Sequence, residues 1–347
     1  MALAAPAQAS RPALANDAVA LVASIDTEED NWHPTREGIR IENVRELPSL
    51  QRFLVGLGLR PTYFADHPVA STSWSAAILR ELAASGAAEI GAHLHPWNNP
   101  PLEEAPLRRH SMLRNLAAEL QERKLRVLCA ALGAATGSAP TAFRAGRFGL
   151  GPETVRALIT CGFRVDSSVT PWIDWADFDD GPDFRGAPQS CYRLRADQDP
   201  RTPAADGPLL ELPISSGFTR APFAWRSRAH SALRRGALRR LPLAGLAARL
   251  GIVRRVILTP EGESLAALLE LARRLLEQGE RFLHLFWHSP SLVPGCSPFV
   301  TSAADRERLL ATIAGFVNGV SRLARVVPMT VSEAADALDP RGRSPRA

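Results

Sequence analysis

The sequence predicts an α/β chain folded as a closed or nearly closed barrel of seven or eight strands. Short runs of β-forming residues alternate with stretches of helical periodicity along almost the whole chain, as in βαβ units. The motifs that carry chemistry fall at the C-terminal ends of those runs, the edge where parallel α/β architectures gather their sites. Size agrees: 347 residues, 46% hydrophobic and 22% charged, are enough for one large barrel or two modest domains. An open, doubly wound sheet fits the same alternation and is the alternative architecture.

The strands are read as Ala18–Ile25, Thr62–Ala65, Ala88–His93, Thr141–Arg144, Phe163–Ser167, Leu209–Pro213, Arg281–Trp287 and Ala324–Pro328. Between them the pattern predicts helices over Arg45–Leu57, Ser73–Ser85, Met112–Ala135, Pro152–Cys161, Glu263–Gln278 and Ala303–Leu323. The helix at Pro152 opens with proline in its first turn and stops at Gly162, as helix start and stop chemistry requires. Residues 1–17 read as a disordered lead-in, 18–335 as a single barrel domain and 336–347 as a basic tail.

Two stretches break the rhythm. Residues 171–207 are rich in Pro, Asp and Gly with Trp172, Trp175 and Phe178 interspersed, and read as a long irregular insertion of the functional kind. Residues 225–256 hold nine arginines among leucines and alanines and no acidic residue. That segment reads as a solvated amphipathic helix pair, or as a surface for peripheral contact with an anionic membrane.

Composition excludes several classes. The formal charge of +5 is carried by arginine, Lys124 being the only lysine, which points to a genomic bias rather than to nucleic-acid binding. No run is long and apolar enough for a transmembrane helix, and the Ala-rich start lacks the basic and apolar regions of a secretory signal, so a cytoplasmic location is expected. Cys129, Cys161, Cys191 and Cys296 are scattered and read as free thiols.

Five motifs remain. After the first strand, Ser-Ile-Asp26-Thr-Glu28 sets two carboxylates at i and i+2, on one face of extended chain, so one can hold a metal and the other take a proton. An acidic loop is the plainer reading. Glu-Ile-Gly-Ala-His93-Leu-His95-Pro-Trp97 ends the third strand with two imidazoles at the same spacing, a donor pair suited to zinc. Phe-Arg144-Ala-Gly-Arg147 follows the fourth strand and puts guanidinium groups within reach of those carboxylates. Asp166, ending the fifth, can orient a neighbour or cap its loop. Leu-His284-Leu-Phe-Trp-His288 places His288 at a strand end and His284 deeper, where a core histidine is expected.

The order of these motifs resembles the polysaccharide deacetylase superfamily, carbohydrate esterase family four, over nearly the whole chain. The resemblance implies a distorted (β/α) barrel and one divalent metal, commonly zinc, acting on an acetylated saccharide. It implies Asp26 as base, Glu28 as metal ligand with His93, Arg144 as tether of the base, Arg147 as backbone oxyanion donor and His288 as the acid that protonates the leaving amine. Asp166 and Trp97 belong to the substrate side. The family's second histidine lies four residues after the first, where this chain has Trp97, so His95 is the expected substitute ligand. A metal-free glycoside hydrolase using Asp26 and Asp166, and a catalytically inactive carbohydrate-binding protein on the same scaffold, are the alternatives.

Overall fold

The computed structural model describes residues 14–30, 37–234 and 252–342. Its strands are β1 Ala18–Thr27, β2 Thr62–Ala65, β3 Glu89–Leu94, β4 Ala142–Ala145, β5 Val165–Asp166, β6 Tyr192–Leu194, β7 Leu209–Glu211, β8 Ser216–Phe218, β9 Arg255–Ile257, β10 Phe282–His288 and β11 Arg325–Met329. Its helices are α1 Leu47–Gly56, α2 His67–Ser71, α3 Ser73–Ala84, α4 Ala118–Thr136, α5 Pro152–Thr160, α6 Phe223–Leu233, α7 Leu265–Glu277, α8 Ala303–Leu323 and α9 Val331–Leu338.

A nine-stranded sheet runs β10-β1-β2-β3-β4-β5-β7-β6, with β11 also paired to β1. Every pairing in it is parallel except β6 with β7. β1 is central because all ten of its residues are buried, as a strand covered on both faces must be. Its faces divide by period two: Val19, Leu21, Ala23 and Ile25 pack outward under the helices, while Ala20 and Val22 pack inward with Phe64, Val165 and Phe282.

The barrel is distorted because backbone outside the ladder spans the gap between β7 and β10. The His284 amide donates to Ser215 Oγ at 2.9 Å, and the Leu258 amide to the Ser215 carbonyl at 2.8 Å. The Phe286 amide donates to the Leu258 carbonyl at 3.0 Å. The short antiparallel pair β8–β9 therefore stands where a further parallel strand would close the barrel.

Several elements differ from expectation. The helix expected from Met112 starts at Ala118, because the Arg114 amide is drawn to the Gly149 carbonyl (3.0 Å) and the Asn115 side chain to the Asp179 carbonyl (3.1 Å). The stretch 171–207 contains β6, paired antiparallel to β7. α9 packs Val331, Ala334, Ala335 and Leu338 into the inner cluster. Of the arginine-rich segment 225–256, α6 supplies the first part, burying Phe223 and Ser227, while 235–251 lies outside the described residues. So do most of the lead-in, 1–13, and the tail beyond 342. Among the described residues no helix is long and apolar enough to cross a membrane.

Lys124 has a structural task. Buried in α4, its ammonium donates to the carbonyls of Pro96, Asn99 and Pro101 at 2.9, 2.7 and 2.7 Å and pairs with Glu104 at 3.0 Å. The loop that follows the histidine motif is thereby pinned to the helix behind it.

Candidate active site

Register explains which side chains meet. In the β1–β10 ladder Asp26 lies opposite His288, and in the β3–β4 ladder His93 lies opposite Arg144. Residues opposite each other in a sheet share a face. Asp26, His288, His93 and Arg144 therefore converge at the C-terminal mouth of the barrel, and Glu28 and His95 follow one pleat beyond their strand partners. The mouth opens into a cavity of about 1570 Å³.

Glu28, His93 and His95 form one cluster. Glu28 Oε2 lies 2.6 Å from His95 Nε2 and 3.3 Å from His93 Nε2, and the two Nε2 atoms are 3.1 Å apart. All three residues are buried, and their ligand atoms fall within 4.8 Å of one another. His93 Nδ1 donates to the Arg144 carbonyl at 3.0 Å, which turns Nε2 toward the cluster. Among the described residues His95 Nδ1 has no hydrogen-bond partner, and Gly146 lies against it: a Cβ there would sit 2.3 Å from that nitrogen. Two imidazoles and a carboxylate crowded this closely suit a divalent cation. The Glu28 carboxyl is pushed up by burial and pulled down further by His95 and His93, so it ends well below the usual range.

The neighbouring acids are otherwise engaged. Asp30 accepts from the backbone N–H groups of Glu42 and Asn43 at 3.0 Å each and from the Asn43 side chain at 2.6 Å. Glu29 accepts from Trp97 Nε1 at 2.7 Å and from Asn98. Trp97 thus acts as a brace: its ring lies 4.2 Å from the His95 ring, tilted by 32°.

Asp26 is held from one side. Arg144 Nη1 donates to Asp26 Oδ1 at 2.6 Å, and Oδ2 is 3.8 Å from His288 Nε2. Arg144 is wholly buried, gives Nε to the Ser167 carbonyl (2.9 Å) and Nη2 to Ser167 Oγ (3.1 Å), and lies over Phe64. His284 is the expected core histidine. Its Nδ1 donates to the Pro213 carbonyl at 3.3 Å while Nε2 faces Arg144 and Ser24, and burial followed by the Arg144 charge depresses its pKa.

His288 has a partner that the sequence did not reveal. Glu261, in the loop after β9, accepts from its Nδ1 at 2.7 Å and from its amide at 3.2 Å, and also from Ser291. Burial pulls the imidazole pKa down, but the charge and hydrogen bond of Glu261, then Glu28 and Asp26, outweigh it and raise it to about 10. No motif flanks Glu261, so only tertiary structure could find it.

Arg147 reaches the cavity with its backbone in the left-handed region (φ 56°), and Nη1 donates to Asp179 at 2.6 Å and Ser111 at 2.9 Å. Its guanidinium faces the rings of Trp97 and Phe178, both at 5.0 Å. Phe148 and Trp175 stack at 5.3 Å on the same wall.

Asp166 is not with these residues. The β4–β5 register pairs it with Phe143 rather than Arg144, which turns it to the outer face of the sheet. There it accepts from Ser168 Oγ at 2.7 Å and faces Glu211, and burial raises both carboxyls. It is therefore removed from the substrate side, and the carboxylate pair a glycoside hydrolase would draw from Asp26 and Asp166 does not form.

No family model matches the sequence, and comparison with curated proteins finds no match. Solved structures do resemble it. A Mycobacterium smegmatis protein assigned as a polysaccharide deacetylase shares 18% identity with a TM-score of 0.55, covering 97% of each chain. A Pseudomonas aeruginosa protein with the same assignment shares 16% at a TM-score of 0.53, over 93% of this chain and 91% of that one. A Parabacteroides distasonis protein assigned as a glycoside hydrolase or deacetylase shares 14% at 0.58, over 92% of this chain and 71% of its own. The chain has the distorted (β/α) barrel fold of the polysaccharide deacetylases.

Proposed function

We propose that this chain is a metal-dependent deacetylase that hydrolyses the N-acetyl group of an acetylated saccharide. The observation that carries the reading is that Asp26, tethered by Arg144 and 3.8 Å from His288, lines one cavity with the Glu28–His93–His95 cluster. A divalent ion bound by that cluster supplies Lewis acidity toward water and the acetyl carbonyl.

The residues divide the rest. Asp26 Oδ2, left free by the Arg144 bond, takes a proton from the attacking water. The backbone N–H of Arg147 donates to the oxygen that gains charge as the carbonyl becomes tetrahedral. The C–N bond then breaks, and His288 gives its proton to the nitrogen so that a neutral amine leaves with acetate as the other product. An imidazole raised to about 10 is protonated at neutral pH, as that role requires. Trp97, Phe148 and Trp175 give the cavity wall an aromatic lining suited to sugar rings.

Acetate release from N-acetylglucosamine oligosaccharides tests the reading directly. Activity is expected, lost with a chelator and restored by zinc. Saccharide binding without acetate release under any metal would leave a binding protein instead.

Glu261 gives a pH test. Because His288 acts in its protonated form, kcat/KM falls as pH rises through its pKa. Glu261→Gln removes the charge that raises it, so the alkaline limb moves from near pH 10 down toward the ordinary imidazole value of about 6.5. An alkaline limb that stays in place would show that the limb belongs to another group.

A further inference from the structure

A half-buried cationic side chain in the cavity wall, Arg255, is left unspent by the proposed chemistry. Arg255, Ile257, Thr259 and Glu261 alternate along β9 and its extension, and all four line the cavity. Arg108 and Arg147 line it too, but both give their guanidinium to Asp179. Arg255 donates one hydrogen bond, from Nη1 to the Trp172 carbonyl at 3.3 Å, and makes no ion pair with a carboxylate among the described residues. A guanidinium carries five N–H donors, so most of its capacity is unused.

We propose that Arg255 is an anion subsite of the substrate cavity, and that the saccharide processed there carries a carboxylate or a phosphate. A solvated arginine needs no partner, but Arg255 is half-buried, and a desolvated cation without a counter-charge is costly. The surroundings add positive charge: burial first, then Arg234, depress its pKa, and Arg185 acts in the same sense. The one acid that opposes them, Asp174, is bound to Arg185 at 2.9 Å. An oxyanion on the substrate supplies the missing counter-charge in the planar, bidentate geometry that arginine favours.

From Arg255 to Glu261, which holds His288, the chain spans at most about 20 Å when extended, so one short oligosaccharide can meet both. The anion that Arg255 meets is then a group of the saccharide other than the acetyl amide under attack.

The inference rests on the deacetylase reading for its substrate, so its test includes binding as well as turnover. Three tetrasaccharide probes separate the sources of charge: neutral chitotetraose, chitotetraose bearing a reducing-end phosphate, and a tetrasaccharide alternating N-acetylglucosamine with glucuronate. The wild-type protein is expected to prefer one charged probe in acetate release and in tryptophan-fluorescence titration. Arg255→Gln should lower the charged-to-neutral ratio by about 10- to 100-fold in both measurements, the range lost with a charge-assisted hydrogen bond. Arg255→Lys, which keeps the charge but not the fork, should recover part of that ratio.

If the deacetylase reading alone fails, no probe releases acetate, yet the charge-dependent binding and its loss in Arg255→Gln persist. Equal wild-type affinity for all three probes, or an unchanged ratio in Arg255→Gln, would overturn the anion subsite.

Discussion

Asp26→Asn is expected to lower kcat for acetate release by about 10²–10⁴-fold while the protein keeps its full complement of metal. That range is what positioned proton transfer contributes. The substitution is nearly isosteric, and the asparagine carbonyl can still accept from Arg144 Nη1, now 2.6 Å from Asp26 Oδ1. The buried guanidinium keeps a hydrogen-bond acceptor but loses its counter-charge, so some stability is lost as well, and turnover is compared on folded, metal-loaded protein. What disappears is the second oxygen as a proton acceptor, 3.8 Å from His288. KM should move little, since the loss is confined to the transition state. Turnover within a fewfold of wild type would remove Asp26 from the role of base.

Much of this architecture was legible because it is local. β1 reads as a buried parallel strand from its unbroken apolar run, and the i, i+2 pairs at Asp26/Glu28 and His93/His95 need only the period of extended chain. The same period puts Trp97 on that face too, and His95 is the choice because an indole has no free lone pair for a metal; the structure does bring its Nε2 to Glu28. Register is another matter. Asp166 was rightly placed at a strand end, but whether it faces inward depends on the ladder, which pairs it with Phe143 and turns it away. A shift of one residue would have put it beside Arg144.

The unread parts come from distant segments. Glu261 approaches His288 because β9 pairs with β8 and the following loop folds back across the mouth, a contact with no local signature. Lys124 looks like any helical lysine until three carbonyls of the 96–101 loop converge on it. The late start of α4 has the same origin: Asn115 satisfies the Asp179 carbonyl instead of a helical turn.

His93→Ala is expected to abolish stoichiometric metal binding, and thermal stability shows this independently of activity. An ion that binds only the folded state at a thousand times its Kd adds about 4 kcal/mol, so added zinc should raise the wild-type melting temperature and leave that of His93→Ala unmoved. His93 contributes one of three converging atoms, and its orientation is set from behind by the Arg144 carbonyl at 3.0 Å. His93→Gln keeps more of the buried volume and guards against simple misfolding. Glu28→Gln should behave like His93→Ala, because its Oε2 is the atom both imidazoles face. Asp30→Asn is the discriminating control. Asp30 accepts from Glu42 and from Asn43 twice, so it is occupied with shaping the loop, and its substitution should cost stability without removing the zinc-dependent shift. Full zinc content in His93→Ala, or a shift lost in Asp30→Asn but retained in Glu28→Gln, would place the ion on a different set of ligands.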